Sequence, residues 1–201
     1  MKIKKIIVAV LALAISAGAS AQVNFGVKAG ASLNAIPGTY GDLGDDPVAN
    51  IGFYGGALAN ISVTDKFFVQ AEALYSRKGI STSNPILGKY TRNISYVEVP
   101  VMAGLRTNGG LFNVMAGPAF GYCVGNKVTS ETYNPASIGN PRDLSVSFVM
   151  QTTWFVTDNL GVDLGFDFGI TPVFENAHIG DSIDKGRNAG VMVGLSYYFG
   201  Y

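Results

Sequence analysis

The chain has 201 residues, with 14 basic and 14 acidic side chains, one cysteine and one histidine. That balance leaves no electrostatic footprint for nucleic acid, Cys123 has no partner for an intrachain disulfide, and His178 alone cannot build a Cys/His metal site. Gly (26), Phe (12) and Tyr (10) are plentiful and 48% of residues are hydrophobic, yet beyond residue 21 no apolar run nears the roughly twenty residues of a membrane helix.

Met1–Lys5 carries Lys2, Lys4 and Lys5, Ile6–Ile15 is an unbroken apolar run, and Ala19-Ser20-Ala21 puts small residues where a signal peptidase reads them. Residues 1–21 are read as a secretory signal peptide cleaved before Gln22, because the run is too short to span a bilayer as a helix. The mature chain, 22–201, keeps 11 basic residues against 14 acidic ones, a charge of −3.

From Val23 onward the apolar period is two, which places side chains on opposite faces of a strand. The first expected strand, Val23–Leu33, sets Val23, Phe25, Val27 and Leu33 against Asn24, Gly26, Lys28 and Ser32. Ile36–Asn50, with two prolines and three aspartates, reads as a long loop. Strands follow at Ile51–Val63 and Phe67–Gly79, joined by Thr64-Asp65-Lys66, with Gln70, Glu72, Ser76 and Lys78 on the inner face of the latter. Ser81–Arg92 is expected to be a second long loop. Ile94–Arg106, with Glu98 and Arg106 inward, turns through Thr107-Asn108-Gly109-Gly110, the strongest hairpin signal in the chain, into Leu111–Cys123. Lys127–Asp143 is the third long loop. Leu144–Phe155 and Leu160–Ile170 flank the short turn Thr157-Asp158-Asn159, Pro172–Arg187 is the fourth long loop, and Ala189–Tyr201 closes the series.

Leu160–Ile170 shows the pattern most clearly. Large apolar residues alternate there with Gly161, Asp163, Gly165, Asp167 and Gly169 only. A soluble sandwich would line its wet face with Lys, Thr and Glu; glycine and spaced aspartate suit a crowded barrel lumen with lipid on the far side. Eight strands joined alternately by long loops and short turns give the expected fold class: an all-β, eight-stranded antiparallel up-and-down transmembrane β-barrel, with short turns facing the periplasm. Pro100 and Pro118 remove ladder donors and are read as local distortions. Phe67, Phe68, Trp154, Phe155, Tyr197, Tyr198 and Phe199 flank the short-turn end and are expected to form an aromatic girdle at the headgroup level; ordinary β-propensity is the alternative account.

Tyr96-Val97-Glu98-Val99-Pro100 and the run Gln70–Gly79 (QAEALYSRKG) resemble the PorT-like outer-membrane β-barrel family common in Bacteroidetes. Phe25–Gly30 and Gly194–Phe199 also look like that family, so the likeness covers essentially the whole mature chain. It implies an eight-stranded outer-membrane barrel but no settled activity, since fold does not carry function; one branch of the family assists protein export.

Lys28, Gln70, Glu72, Glu98, Arg106, Gln151, Asp163 and Asp167 point inward on this reading. The lumen of eight strands is just wide enough for side chains to fill, and buried charges must pair, so an internal salt-bridge plug is expected, with a narrow charged solute path as the alternative. Glu72 and Glu98 lie on neighbouring strands, and Asp163 and Asp167 are expected to seek Lys28 or Arg106. Barrel acyl hydrolases and acyltransferases need a Ser nucleophile and a His base; His178, near Glu175, Asp181, Ser182 and Asp184, is the only imidazole and falls in a loop, where a solvated histidine is the commoner case. Asp42, Asp45 and Asp46 supply oxygen ligands but match no calcium-loop spacing. The expectation is a non-enzymatic envelope barrel without cofactor or metal, in contact with outer-membrane lipid. Its outer loops offer surface to an extracellular or secretion-system protein; a narrow pore or an export accessory is the alternative.

Overall fold

Alternation of one large apolar side chain with one small or polar one cannot pack a lone hairpin, because each sheet needs something on both faces. Closing the sheet on itself meets that need and leaves no unpaired edge. In the structure, a computed structural model, residues 22–35, 47–84, 88–130, 141–173, 178–179, 182–183 and 186–200 are described. The strands are β1 (Val23–Ala35), β2 (Pro47–Ser62), β3 (Phe67–Asn84), β4 (Gly88–Thr107), β5 (Phe112–Ser130), β6 (Leu144–Phe155), β7 (Leu160–Gly169), the two-residue pair β8 (His178–Ile179) and β9 (Ser182–Ile183), and β10 (Ala189–Phe199). Eight of them form a closed barrel in the order β1-β10-β7-β6-β5-β4-β3-β2, every pair antiparallel. β1 and β10 complete the ring in unbroken register from Phe25↔Phe199 to Ala35↔Ala189.

The sheet tolerates both prolines without slipping. Between β3 and β4 the paired residues stop at Ala71↔Val101 and resume, in the same register, at Leu74↔Glu98, a gap that spans Pro100. Between β4 and β5 they stop at Pro100↔Ala119 and resume at Ala103↔Ala116, around Pro118. Each proline thus costs local ladder bonds while the flanking residues hold the alignment. True register shifts occur between Ala49 and Phe53 and between Ser95 and Tyr96. The Asn108-Gly109-Gly110 turn follows its sequence signal: φ is +55°, +69° and +96° at the three residues, a region glycine enters freely and Asn tolerates.

Inward side chains fill the lumen. Phe68, Met102, Met115, Ala119 and Val149 form one buried apolar cluster, and Leu58, Phe155 and Tyr198 another, near the end where the short turns gather. The Phe68 ring lies across Gly104; a Cβ there would come within 2.6 Å of Phe68 Cε2, so the glycine is the space into which the ring folds. Outward side chains are the mirror image: Phe25, Ile51, Phe67, Leu144, Trp154, Val193 and Phe199 are all exposed on the barrel wall.

Several expectations are corrected by this fold. β2 begins at Pro47, inside the expected Ile36–Asn50 loop, and the expected Pro172–Arg187 loop holds the paired strands β8 and β9. Ser81–Arg92 is not a loop: β3 runs to Asn84 and β4 begins at Gly88, with Ser83↔Lys89 and Asn84↔Gly88 paired. β5 likewise continues through Lys127 to Ser130, where a loop was expected. Phe68, Phe155 and Tyr198 are not in an outward girdle: each follows or precedes an outward aromatic on a strand of period two, so each points into the lumen and is buried, with the Phe155 ring 5.3 Å from that of Tyr198. Residues 1–21 and the Asp42, Asp45 and Asp46 triplet lie outside the described residues.

Candidate functional site

The polar residues of the lumen gather around two lysines at two levels. β1 carries Lys28 inward because Val27 and Ala29 face out. Its Nζ donates to Glu72 Oε1 and Oε2 at 2.9 and 3.2 Å and to Gln151 Oε1 at 2.6 Å, and lies 3.7 Å from Asp163 Oδ2. These groups come from β1, β3, β6 and β7, so the cluster spans the barrel. Around it, Gln70 Nε2 donates to Glu72 Oε1 at 2.7 Å, while Gln70 Oε1 accepts from Asn60 Nδ2 and from the Tyr198 hydroxyl. Thr153 Oγ1 and Ser196 Oγ donate to Asp163 Oδ1 at 2.6 and 3.2 Å. The Lys28 and Glu72 side chains are 2% and 1% exposed, so this pair is held by its geometry rather than by water.

The second level, nearer the long-loop end, repeats the arrangement with Lys78 of β3. Its Nζ donates to Glu98 Oε1 at 2.7 Å and to Asp167 Oδ2; Ser76 Oγ donates to Glu98 Oε2 at 2.5 Å, and Asn188 Nδ2 approaches Asp167 Oδ2 at 3.5 Å. Beside Asp167 a cavity of about 30 Å³ is lined by Lys78, Tyr96, Ser145, Ser147 and Thr171, among others. It has room for one water-sized group. In each cluster one lysine bridges two carboxylates on opposite sides of the lumen.

The expected inner residues are therefore placed as follows. Lys28, Gln70, Glu72, Gln151 and Asp163 meet in one cluster, and Glu98 and Asp167 meet in the other. Glu72 and Glu98 lie on the neighbouring strands β3 and β4, as expected, and go to different lysines. Arg106 forms no salt bridge with either set of carboxylates among the described residues: it sits two residues from the short turn, donates to Asn60 Oδ1 at 2.9 Å and Ser62 Oγ at 2.8 Å, and covers the Phe68 ring at 5.1 Å, reaching the Lys28 cluster only through Asn60 and Gln70. Lys78 was legible as an inward residue, but its role as second hub depends on relative strand heights that the sequence does not encode locally. Phe67, Trp154, Tyr197 and Phe199 are exposed near the short-turn end; Phe112 stacks on Trp154 at 6.1 Å, and Tyr197 meets Phe199 edge-on at 5.6 Å. His178 pairs with Ile183 through its backbone, while its side chain and Glu175, Asp181 and Asp184 lie outside the described residues. No group of three His, Cys, Asp or Glu positioned to hold a metal occurs among the described residues.

A family model described as outer membrane protein beta-barrel domain matches residues 16–175. Similar solved structures include the Neisserial surface protein NspA, 12% identical over 89% of this chain and 99% of that one with a TM-score of 0.52. They also include Ail, the attachment invasion locus protein of Yersinia pestis, solved with the heparin analogue sucrose octasulfate (13% identity, 89% and 99% coverage, TM-score 0.49). OprG from Pseudomonas aeruginosa is 12% identical over 88% and 94%, with a TM-score of 0.48. At these identities the likeness to NspA speaks for the fold alone. No protein in the curated comparison matches.

Proposed function

The chain belongs to the outer membrane protein beta-barrel domain family, and from that premise we propose that it is a non-enzymatic integral barrel, closed to solutes, that supports the envelope and presents its long loops outward. The observation that carries this reading is the pair of lysine-centred clusters, each tying together strands from different sides of the lumen. A solute path would require those ion pairs to part, and separating a buried pair costs about 3–5 kcal/mol. Purified wild-type protein in planar bilayers is expected to stay electrically silent; steady single-channel steps from the wild type would refute the closed barrel.

On this reading the outward rings Phe67, Trp154, Tyr197 and Phe199 lie at the inner headgroup level, and the apolar wall above them meets hydrocarbon. Residues 1–21 act as the export signal, so intact mass of the membrane-extracted protein should begin at Gln22. A second reading, an accessory to protein export, rests on the likeness of Tyr96–Pro100 and Gln70–Gly79 to the PorT-like branch. A deletion strain separates the two: lost secretion with intact permeability favours the accessory, whereas detergent sensitivity with normal secretion favours the envelope role.

A further inference from the structure

Arg77, a basic side chain on the barrel wall, has no acidic partner among the described residues. Arg77 of β3 is opposite Phe53 on β2 and Ser95 on β4, and Ser95 is in turn opposite Gly125 on β5. Residues directly opposite on neighbouring strands share a face, and exposed Phe53 and Tyr75 show that this face is the outer one. The Arg77 guanidinium rests 6.0 Å from the Phe53 ring centroid, the Phe53 and Tyr75 rings are 6.2 Å apart, and the Tyr75 hydroxyl donates to Ser95 Oγ at 2.9 Å. Arg77 is half-buried, and among the described residues no carboxylate pairs with it, which leaves its fork of N–H donors without an anionic partner there.

Its height follows from the strand. Phe67, in the ring of aromatics at the short-turn end, and Arg77 are both outward on β3, with Val69, Ala71, Ala73 and Tyr75 between them. Those ten steps span about 33 Å of strand, or about 25 Å along the axis at the usual barrel tilt, which is the height of the apolar band of an outer-membrane barrel. Arg77 therefore stands where hydrocarbon gives way to the outer headgroups, with two aromatic rings just below it. Lys127, exposed and opposite Asn93 on the next rung, stands across the Ser95–Gly125 row. Gly125 has no side chain to fill that row. Two strand spacings and one rung separate the two cations by about 12 Å at the backbone, within joint reach of two long side chains.

We propose that Arg77 and Lys127 form a site on the outer wall for the phosphomonoester headgroup of an outer-leaflet lipid. The membrane anchors the ligand: acyl chains lie on Phe53 and Tyr75, and the guanidinium and ammonium close on the phosphate, for which a planar arginine fork is well suited. The proposal rests on the membrane-embedded reading above, and its test separates the two. Wild-type protein, R77Q/K127Q and the control K66Q (a lysine of the short-turn end) are reconstituted into phosphatidylcholine nanodiscs. The discs are doped with phosphatidic acid or with diacylglycerol, its phosphate-free counterpart, and the lipid retained is read by native mass spectrometry.

Wild type and K66Q should retain about fivefold more phosphatidic acid than diacylglycerol, and R77Q/K127Q about equal amounts. Equal retention by wild type, or an undiminished preference in R77Q/K127Q, overturns the site. Displacement by millimolar inorganic phosphate overturns the membrane-borne source of the ligand. Failure of the folded wild-type barrel to enter the disc overturns the embedded reading itself, and is seen before any lipid is counted.

Discussion

At the residue scale, the lumen is organised by Lys28 and Lys78, each shared between two carboxylates. Removing one partner of a buried pair leaves the rest charged and unsatisfied, so Lys28→Met should lower stability by about 3 kcal/mol in a urea titration of the detergent-solubilised barrel. Replacing the pair together, Lys28→Met with Glu72→Leu, should recover part of that loss, because an apolar pair leaves fewer buried charges without a partner. A double variant that is the sum of its single ones would show that Lys28 and Glu72 are not coupled. Trp154, the single tryptophan, is 49% exposed and stacked on Phe112 at the outer wall. Brominated lipids should quench its fluorescence strongly and aqueous acrylamide weakly; the reverse order would remove Trp154 from the lipid face.

At the element scale, β6 and β7 were legible almost to the residue, because alternation runs cleanly up to Thr157-Asp158-Asn159 and away from it. β3, β4 and β5 were legible only over the part nearer the short turns, from Phe67 to Gly79, Ile94 to Arg106 and Phe112 to Cys123. Between Gly79 and Ile94, and beyond Gly125, the outward register positions turn polar (Ser81, Ser83, Lys89, Thr91, Asn93, Lys127, Thr129): once a strand rises past hydrocarbon, nothing demands a greasy outer face, and the period-two signal fades although the hydrogen-bond ladder continues. The ion clusters were half legible for a related reason. Period two tells which residues point inward, but whether Asp163 meets Lys28 or Arg106 depends on register summed across β10, which no local pattern states. Where close approach is specified locally, substitution should be costly. Gly104→Val would drive a branched side chain into the Phe68 ring and should cost about 1–3 kcal/mol in the same urea titration. Gly109→Val, strained at φ +69° but in open space, should cost no more than about 1–2 kcal/mol.

At the scale of the whole molecule, a ring of paired strands with a packed lumen has few ways to open partially. The folded barrel is therefore expected to resist SDS at room temperature and to migrate faster on gels than after boiling, and Lys28→Met should lower the temperature of that mobility change. The closing contact is β1 against β10, the first and last strands of the barrel. A ribosome that stops before Ala189 therefore does not deliver a narrower tube. It delivers a curled ribbon with two raw margins, β1 on one side and β7 on the other. In oil every bare amide along those margins costs several kcal/mol. The eleven residues of β10 thus act as the zip of the whole wall.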